Sequence, residues 1–444
     1  MCHGPLLRPL ITYTIPIILS GILQLLFHTA DLVVVGQFCG SDSVAAVGST
    51  SALTNLMVNL FVGFSIGVGA LVAQSLGAKD ERRVRHAVHT AIPLALIGGA
   101  LITLIGIFLA PQFLDWMDTP PEIIGLSAVY LRIYFAGMIF SMVFNYGAAI
   151  LRAAGDTQSP LLFLTLSGVL NLLLNLLFVL AFKMDVAGVA LATSISQVLS
   201  AVLVVRALMK RTDACRLEWK KLTFHRQSIA EILKVGLPAG IQSSLFSITN
   251  VITQSSVNLF GKAAVAGNAA AASVEGFVFT AMDSFHQTAL TFTAQNHGAQ
   301  NYDRIRKVFH YCMALVFIVG LTIGGTVWLC GEPILSIFIT DSPDAMRYGL
   351  LRLSMICRLY FLCGMMKVAT GALRGLGRSI SSMVISIGGV CAIRILWVAI
   401  VFQIPQFHTL KCLYMSYVIS WIISIALQVI VFYVALNKEK KKLA

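Results

Sequence analysis

The chain has 444 residues, of which 57% are hydrophobic and only 11% charged, and its mean hydropathy is +0.85. Soluble domains hold about 25% charged residues, so this composition excludes an ordinary soluble protein and points to repeated membrane crossing. The formal net charge of +13 raises nucleic acid as a partner, but the basic residues cluster in alternate loops, as topology determinants do.

Apolar runs long enough to span a bilayer recur along nearly the whole sequence and leave no room for a separate soluble domain. They predict an all-α polytopic membrane protein of twelve helices. The first six lie at about 11–36, 46–76, 88–110, 125–151, 160–182 and 188–209. The second six lie at about 229–260, 264–296, 307–330, 346–373, 380–403 and 411–436. Ten-residue alternating segments of the barrel type are absent. Met1 to Arg8 carries a single Arg before a long apolar run, so no cleavable signal is expected. The nine cysteines are scattered, without the close pairing of a metal or redox motif.

Positive charge sets the orientation. Lys79, Arg82, Arg83 and Arg85 follow the second helix, eight basic residues lie between Arg206 and Lys234, and Arg304, Arg306 and Lys307 follow the eighth helix. Arg374 and Arg378 follow the tenth, and Lys438, Lys440, Lys441 and Lys442 close the sequence. The opposite loops carry acids instead: Asp115, Asp118, Glu122, Asp185, Glu332, Asp341 and Asp344. Both termini are therefore expected in the cytoplasm of a cell that places this multi-pass protein in its inner membrane.

Asp31 stands out in the first span, PIILSGILQLLFHTADLVVVG at 16–36. A carboxylate at bilayer depth costs roughly 2.5 to 3.5 kcal/mol on insertion scales, so it normally faces a cavity or a partner and marks an ion or substrate path. Competition between a proton and another cation for one carboxylate is the minimal chemistry of exchange. A structural acid bonded to neighbouring hydroxyls or Asn side chains, with His28 and Thr29 at hand, is the bland alternative.

Further acids and amides lie in the second half. Glu275, Asp283 and Gln287 form a stripe on the eighth helix suited to a cationic substrate or an ion relay. The competing role is packing, through a pair with Arg394, Arg358 or Lys367. Gln242, Asn250, Gln254 and Asn258 put a polar line on the seventh helix, a pattern as common in interhelical bonding as in binding. Phe61, Phe64 and Tyr134 are candidates for an aromatic cage with cation–π capacity.

An internal repeat orders these parts. Ala73-Gln74, Gly77-Ala78, Arg83 and Arg85 recur 221 residues later as Ala294-Gln295, Gly298-Ala299, Arg304 and Arg306. Leu151-Arg152 with Gly155 recurs as Leu373-Arg374 with Gly377, and Pro16 as Pro238, both at 222. Tyr130-Leu131-Arg132 is matched by Leu350-Leu351-Arg352 at 220. The two glycines after paired arginines predict tight turns, with Arg152 and Arg374 satisfying the preceding helix carbonyls. Six helices per copy make the repeats parallel, which gives two pseudo-symmetric six-helix lobes: 1–209, a linker at 210–228, and 229–444 with its basic tail. Secondary transport by rocking of the lobes follows, and no phosphate-binding loop supports an ATP-driven pump.

These residues resemble the multidrug and toxic compound extrusion (MATE) transporters, the DinF-like branch more than the NorM-like one. The resemblance spans essentially the whole chain and rests on Pro16, Asp31 and Gly36, GVGALVAQSLGAKD at 67–80, LRAAGDTQSP at 151–160 and Asn171 to Gly188 leading into AGVALATSISQ. In the second half it rests on VGLPAGIQ at 235–242, ASVEGF at 272–277 and TFTAQNHGA at 291–299. It implies a transporter, not an enzyme, that exports organic, often cationic compounds by antiport with H+ or Na+. It needs no cofactor beyond that ion, and a monomer suffices. Carried over, Asp31 is the ion-coupled carboxylate and Asn171 its polar partner on the fifth helix. Many members place an Asp four residues after that Asn, whereas this chain has Asn175, on the same helix face as Asn171. A Na+ near Asp31 is then harder to assemble. Two other classes compete: a flippase or exporter dedicated to a lipid-linked or metabolite substrate, which needs a basic cavity, and a membrane enzyme, for which no hydrolase motif is present.

Overall fold

The computed structural model describes residues 1–117, 119–339 and 342–442 and contains no strand among them. Asp118 and Asp341, expected in acidic loops, lie outside the described residues. Sixteen α-helices run in order: α1 (Leu7–Phe38), α2 (Ser41–Gly77), α3 (Glu81–Trp116), α4 (Pro121–Ala136), α5 (Met138–Ala153), α6 (Gln158–Leu176), α7 (Asp185–Lys210), α8 (Arg226–Asn258), α9 (Lys262–Gly298), α10 (Tyr302–Leu329), α11 (Gly331–Leu335), α12 (Pro343–Ile356), α13 (Tyr360–Gly375), α14 (Ser379–Ser386), α15 (Ile393–Leu396) and α16 (Leu410–Lys441). Eleven stretches are long and apolar enough to cross a membrane, counting α12 with α13 and α14 with α15 as single spans. The pair α4 and α5, bent by 43°, makes a twelfth. The twelve expected spans are thus all present as helix.

The bend has a local cause. Gly137 joins α4 to α5 where α7 crosses so closely that a Cβ there would stand 2.7 Å from Gln197 Oε1 and 2.8 Å from Ser194 Oγ. Ser194 Oγ donates to the Ile133 carbonyl at 2.9 Å, supplying a donor at the break in the helical ladder. Helices α6, α14 and α15 are also irregular, with π-helical turns at Leu177–Ala181, Ile387–Ala392 and Trp397–Val401.

The repeat is visible in the backbone as well as in the sequence. Gly40 and Gly261 precede α2 and α9 at φ 93° and 87°, and Lys79 and Gln300 follow those helices at φ 57° and 56°. Asp80 then caps α3 by accepting from Arg83 N at 2.9 Å, as Asn301 caps α10 by accepting from Arg304 N at 3.1 Å. Gly155 and Gly377, at φ 93° and 74°, make the expected left-handed turns. One expectation there fails: the Arg374 side chain leaves the helix-end carbonyls and turns inward, bonding Gln242 Oε1 at 2.8 Å and His286 Nε2 at 3.2 Å.

By contacts the chain divides into two compact units, one formed by Ile15–Gly240 and the other by Met1–Thr14 with Ile241–Ala444. The division cuts α1 and α8 instead of falling in the 210–228 linker, so each unit contains the leading residues of a helix whose remainder belongs to the other. In the first unit, α2 meets the start of α8 through Gly63, Gly67, Gly236 and Gly240, where backbones touch and a Cβ on Gly67 would collide with the Ile232 carbonyl. Arg83 pairs with Glu231 there at 2.7 Å. In the second unit the start of α1 lies on α9 through hydroxyls, with Tyr13 Oη donating to Thr291 Oγ1 at 3.0 Å and Thr14 Oγ1 within 2.9 Å of Thr288 Oγ1. Arg304 donates to the carbonyls of Met1, His3 and Gly4 at 2.9–3.1 Å.

Candidate functional site

In the first unit, Asp31 on α1 faces α6 and is half-buried. Asn175, fully buried, donates through Nδ2 to Asp31 Oδ1. With its amide nitrogen toward the acid, Asn171 donates to the same Oδ1 at 2.8 Å, and its oxygen lies 3.3 Å from Thr193 N; the reverse orientation would set two acceptors face to face. Spacing of four on α6 puts both amides on one face. Tyr130 and Tyr134 of α4, stacked at 5.9 Å, lie within electrostatic reach of the carboxylate. Val34, Val35, Val179 and Val189 pack the apolar floor of this cluster. Among the described residues Asn175 Oδ1 is buried with no partner, an orphaned acceptor beside a carboxylate.

Of the structural partners open to Asp31, the Asn side chains bond it and its chain neighbours do not. Among the described residues neither His28 nor Thr29 bonds it, and Thr29 Oγ1 instead donates to its own helix at Leu25 O, 2.9 Å away. Phe61 and Phe64 meet edge to face at 5.7 Å, with Phe61 beside Gly98 of α3 and Phe64 against Gly236 of α8. They line helix contacts within the first unit.

The second unit carries the other acids, and both are neutralised. Arg352 of α12 grips Glu275 with Nε and Nη2, each at 2.7 Å, and both side chains are more than nine-tenths buried. Among the described residues the bases expected to pair with Glu275 or Asp283 divide: Lys367 takes Asp283, while Arg394 and Arg358 take neither acid and the repeat counterpart of Arg132 takes Glu275. Arg352 Nη1 also donates to Asn268 Oδ1, which accepts from Tyr414 Oη at 3.0 Å, while Asn268 Nδ2 donates to Gln254 at 2.7 Å. Gln254 continues the chain to Asn258 at 3.1 Å. Asp283 pairs with Lys367 at 2.8 Å. Gln242 is buried as the acceptor for Arg374, Asn250 is exposed, and Gln287 is half-buried. The acidic stripe therefore carries no uncompensated negative charge.

Arg352, Asn268, Tyr414 and Tyr417 were not among the candidates. An ionisable residue inside the apolar tenth span was the available signal for Arg352. Among the described residues no group of three His, Cys, Asp or Glu side chains is placed to hold a metal ion.

Comparison with known proteins accords with this architecture. A family model described as MatE matches residues 16–177 and 238–400, once in each repeat. The chain is 28% identical over 87% of its length to a protein of Bacillus subtilis named probable multidrug resistance protein YoeA, covering 85% of it. It is 23% identical over 87% of its length to multidrug export protein MepA of Staphylococcus saprophyticus, covering 85% of that protein. In fold it matches an outward-facing multidrug resistance MATE transporter at a TM-score of 0.91 and 21% identity, over 98% of this chain and 96% of that one. A transporter from Pyrococcus furiosus, described as having a binding pocket of reverse polarity, matches at 0.91 and 20% identity over the same shares.

Proposed function

This chain belongs to the MatE family of membrane transporters, and from that premise we propose that it is a secondary multidrug exporter, driving organic compounds out of the cell by antiport with H+ or Na+. Asp31 is the coupling carboxylate, Asn171 and Asn175 set its affinity for the ion, and both termini lie on the cytoplasmic side. The names of the relatives support drug export, and one observation carries the coupling. Asp31 is held by two buried amide donors next to an orphaned amide oxygen, Asn175 Oδ1, so the site holds an anion and a spare acceptor that a proton or small cation would satisfy. A monovalent ion bound there cancels the charge that the amides solvate and changes what α1 and α6 prefer as neighbours.

The test is efflux of a fluorescent organic cation from proteoliposomes under a pH gradient or a Na+ gradient imposed separately. Efflux should follow one gradient in the wild type and fall at least tenfold in Asp31→Asn, with equal protein reconstituted. Unchanged efflux in the variant removes Asp31 from coupling. The runner-up, a carrier dedicated to a lipid-linked or metabolite substrate, draws on two buried guanidinium groups of the second unit, Arg374 and Arg394, that have no carboxylate partner among the described residues.

A further inference from the structure

The interior of the second unit holds four buried or half-buried cations, Arg352, Lys367, Arg374 and Arg394, against two acids, each of which is already paired. Arg374 spends its terminal nitrogens on Gln242 and His286. Arg394 is different. It is 6% exposed, and among the described residues its one hydrogen bond runs from Nε to Ser420 Oγ at 3.1 Å. Its guanidinium lies 3.9 Å from the centroid of Tyr417, whose ring also has the Arg352 guanidinium at 5.9 Å. Among the described residues both Nη groups are left without a protein acceptor. A buried guanidinium is costly unless something anionic meets it, and an aromatic face offsets only part of that cost.

Its position is equally informative. Arg394 lies 223 residues after Asn171 and 219 after Asn175, bracketing the repeat offset of 220 to 222. It therefore occupies, in the second repeat, the level at which the first repeat presents donors to Asp31. No acid stands 220 to 222 residues after Asp31, where the chain has Val251, Ile252 and Thr253. Instead, π-helical turns at Ile387–Ala392 and Trp397–Val401 flank Arg394 on both sides, irregularities that concentrate at functional positions. Tyr360 and Tyr417, both within electrostatic reach of the guanidinium, have hydroxyls without a protein partner among the described residues.

We propose that Arg394, with Tyr417 and Tyr360, forms an anion-binding subsite in the second unit that receives a carboxylate, or an anion of like geometry, carried by a transported organic molecule. The planar fork donates to two oxygens side by side, and the phenols are free to donate to the remaining lone pairs. Substrates bearing an acid group on an aromatic or amphipathic body are then favoured over their esters. This assignment rests on the transporter reading but not on ion coupling.

The test is equilibrium binding to the full chain in lipid nanodiscs with no gradient, using rhodamine 110, which carries a free carboxylate, and rhodamine 123, its methyl ester. Arg394→Gln should weaken rhodamine 110 at least tenfold and rhodamine 123 less than twofold. Arg394→Lys, a charge without the fork, should fall between the wild type and Arg394→Gln and carries the same comparison should the Gln variant not fold. Equal weakening of both dyes, no change in either, or no rhodamine 110 binding to the wild type overturns the subsite. Because no gradient is applied, failure of Asp31→Asn to abolish efflux would sink the coupling reading and leave this result standing.

Discussion

Glu275 offers two carboxylate oxygens and Arg352 meets both, inside a unit where water does not compete. Removing one charge of such a pair strands the other, at a cost of about 3–5 kcal/mol, whereas replacing both by apolar residues is often neutral. Glu275→Gln should therefore lower the thermal stability of the detergent-solubilised protein sharply, and Glu275→Leu combined with Arg352→Met should recover most of the loss. A Glu275→Gln protein that melts like the wild type but loses export of cationic dyes would return Glu275 to the substrate path. Sequence made part of this site legible. Asp31 is the lone acid of a long apolar run, and the interval of four between Asn171 and Asn175 fixes their common face. The partner of Glu275 was not legible, because Arg352, Arg394, Arg358 and Lys367 are equivalent cations until the fold chooses among them.

The membrane spans were readable from hydropathy because each is longer than a bilayer is thick, but their breaks and contacts were not. The bend at Gly137 depends on α7 pressing on it, which no local pattern encodes. The pairs Gly63 with Gly67 and Gly236 with Gly240 carry the small-residue spacing of close helix contacts, a contact signal present in the sequence. Gly67→Ala pushes a methyl into the Ile232 carbonyl and should cost about 1–3 kcal/mol, read as a lower melting temperature, while Gly48→Ala, in open space, should not. The linker is likewise structured. Glu218 N donates to His89 Nε2 at 3.1 Å, and His225 stacks on His86 at 3.7 Å, pinning the segment to α3. At its start, the Arg211 guanidinium bonds Asp213 and holds that carboxyl below its ordinary value. A depressed carboxyl stabilises the folded linker above the unfolded value near about 4, and the contribution is lost as pH falls through the folded one. Protease cleavage within 211–217 should accordingly rise as pH drops below about 4, and Asp213→Asn should remove that pH dependence. Burial pushes the neighbouring Cys215 thiol up to about 12, so maleimide at neutral pH should spare Cys215 until the linker opens.

The repeat was legible at the scale of the molecule because the Ala-Gln and Gly-Ala pairs, the turn glycines and the paired arginines recur at offsets of 221 and 222 in both copies. The exchange of helix starts was not, since no composition change marks Thr14 or Gly240. Yet that exchange decides how the chain can be divided. The first unit takes residues 226–240 from the second repeat, bound to α2 through glycine contacts and to Arg83 through Glu231. The second takes residues 1–14 from the first repeat, bound to α9 through Tyr13 and Thr14 and to Arg304 through three carbonyls. Neither repeat alone completes a unit. A chain cut between Arg216 and Leu217 and co-expressed as two fragments should therefore assemble in the membrane and retain efflux, because every helix start still finds its unit. Residues 1–216 expressed alone should be degraded or aggregate, lacking the helix that covers Gly63 and Gly67. A first fragment that stays monodisperse in detergent and melts cooperatively would show that the repeat, and not the exchanged unit, is what folds.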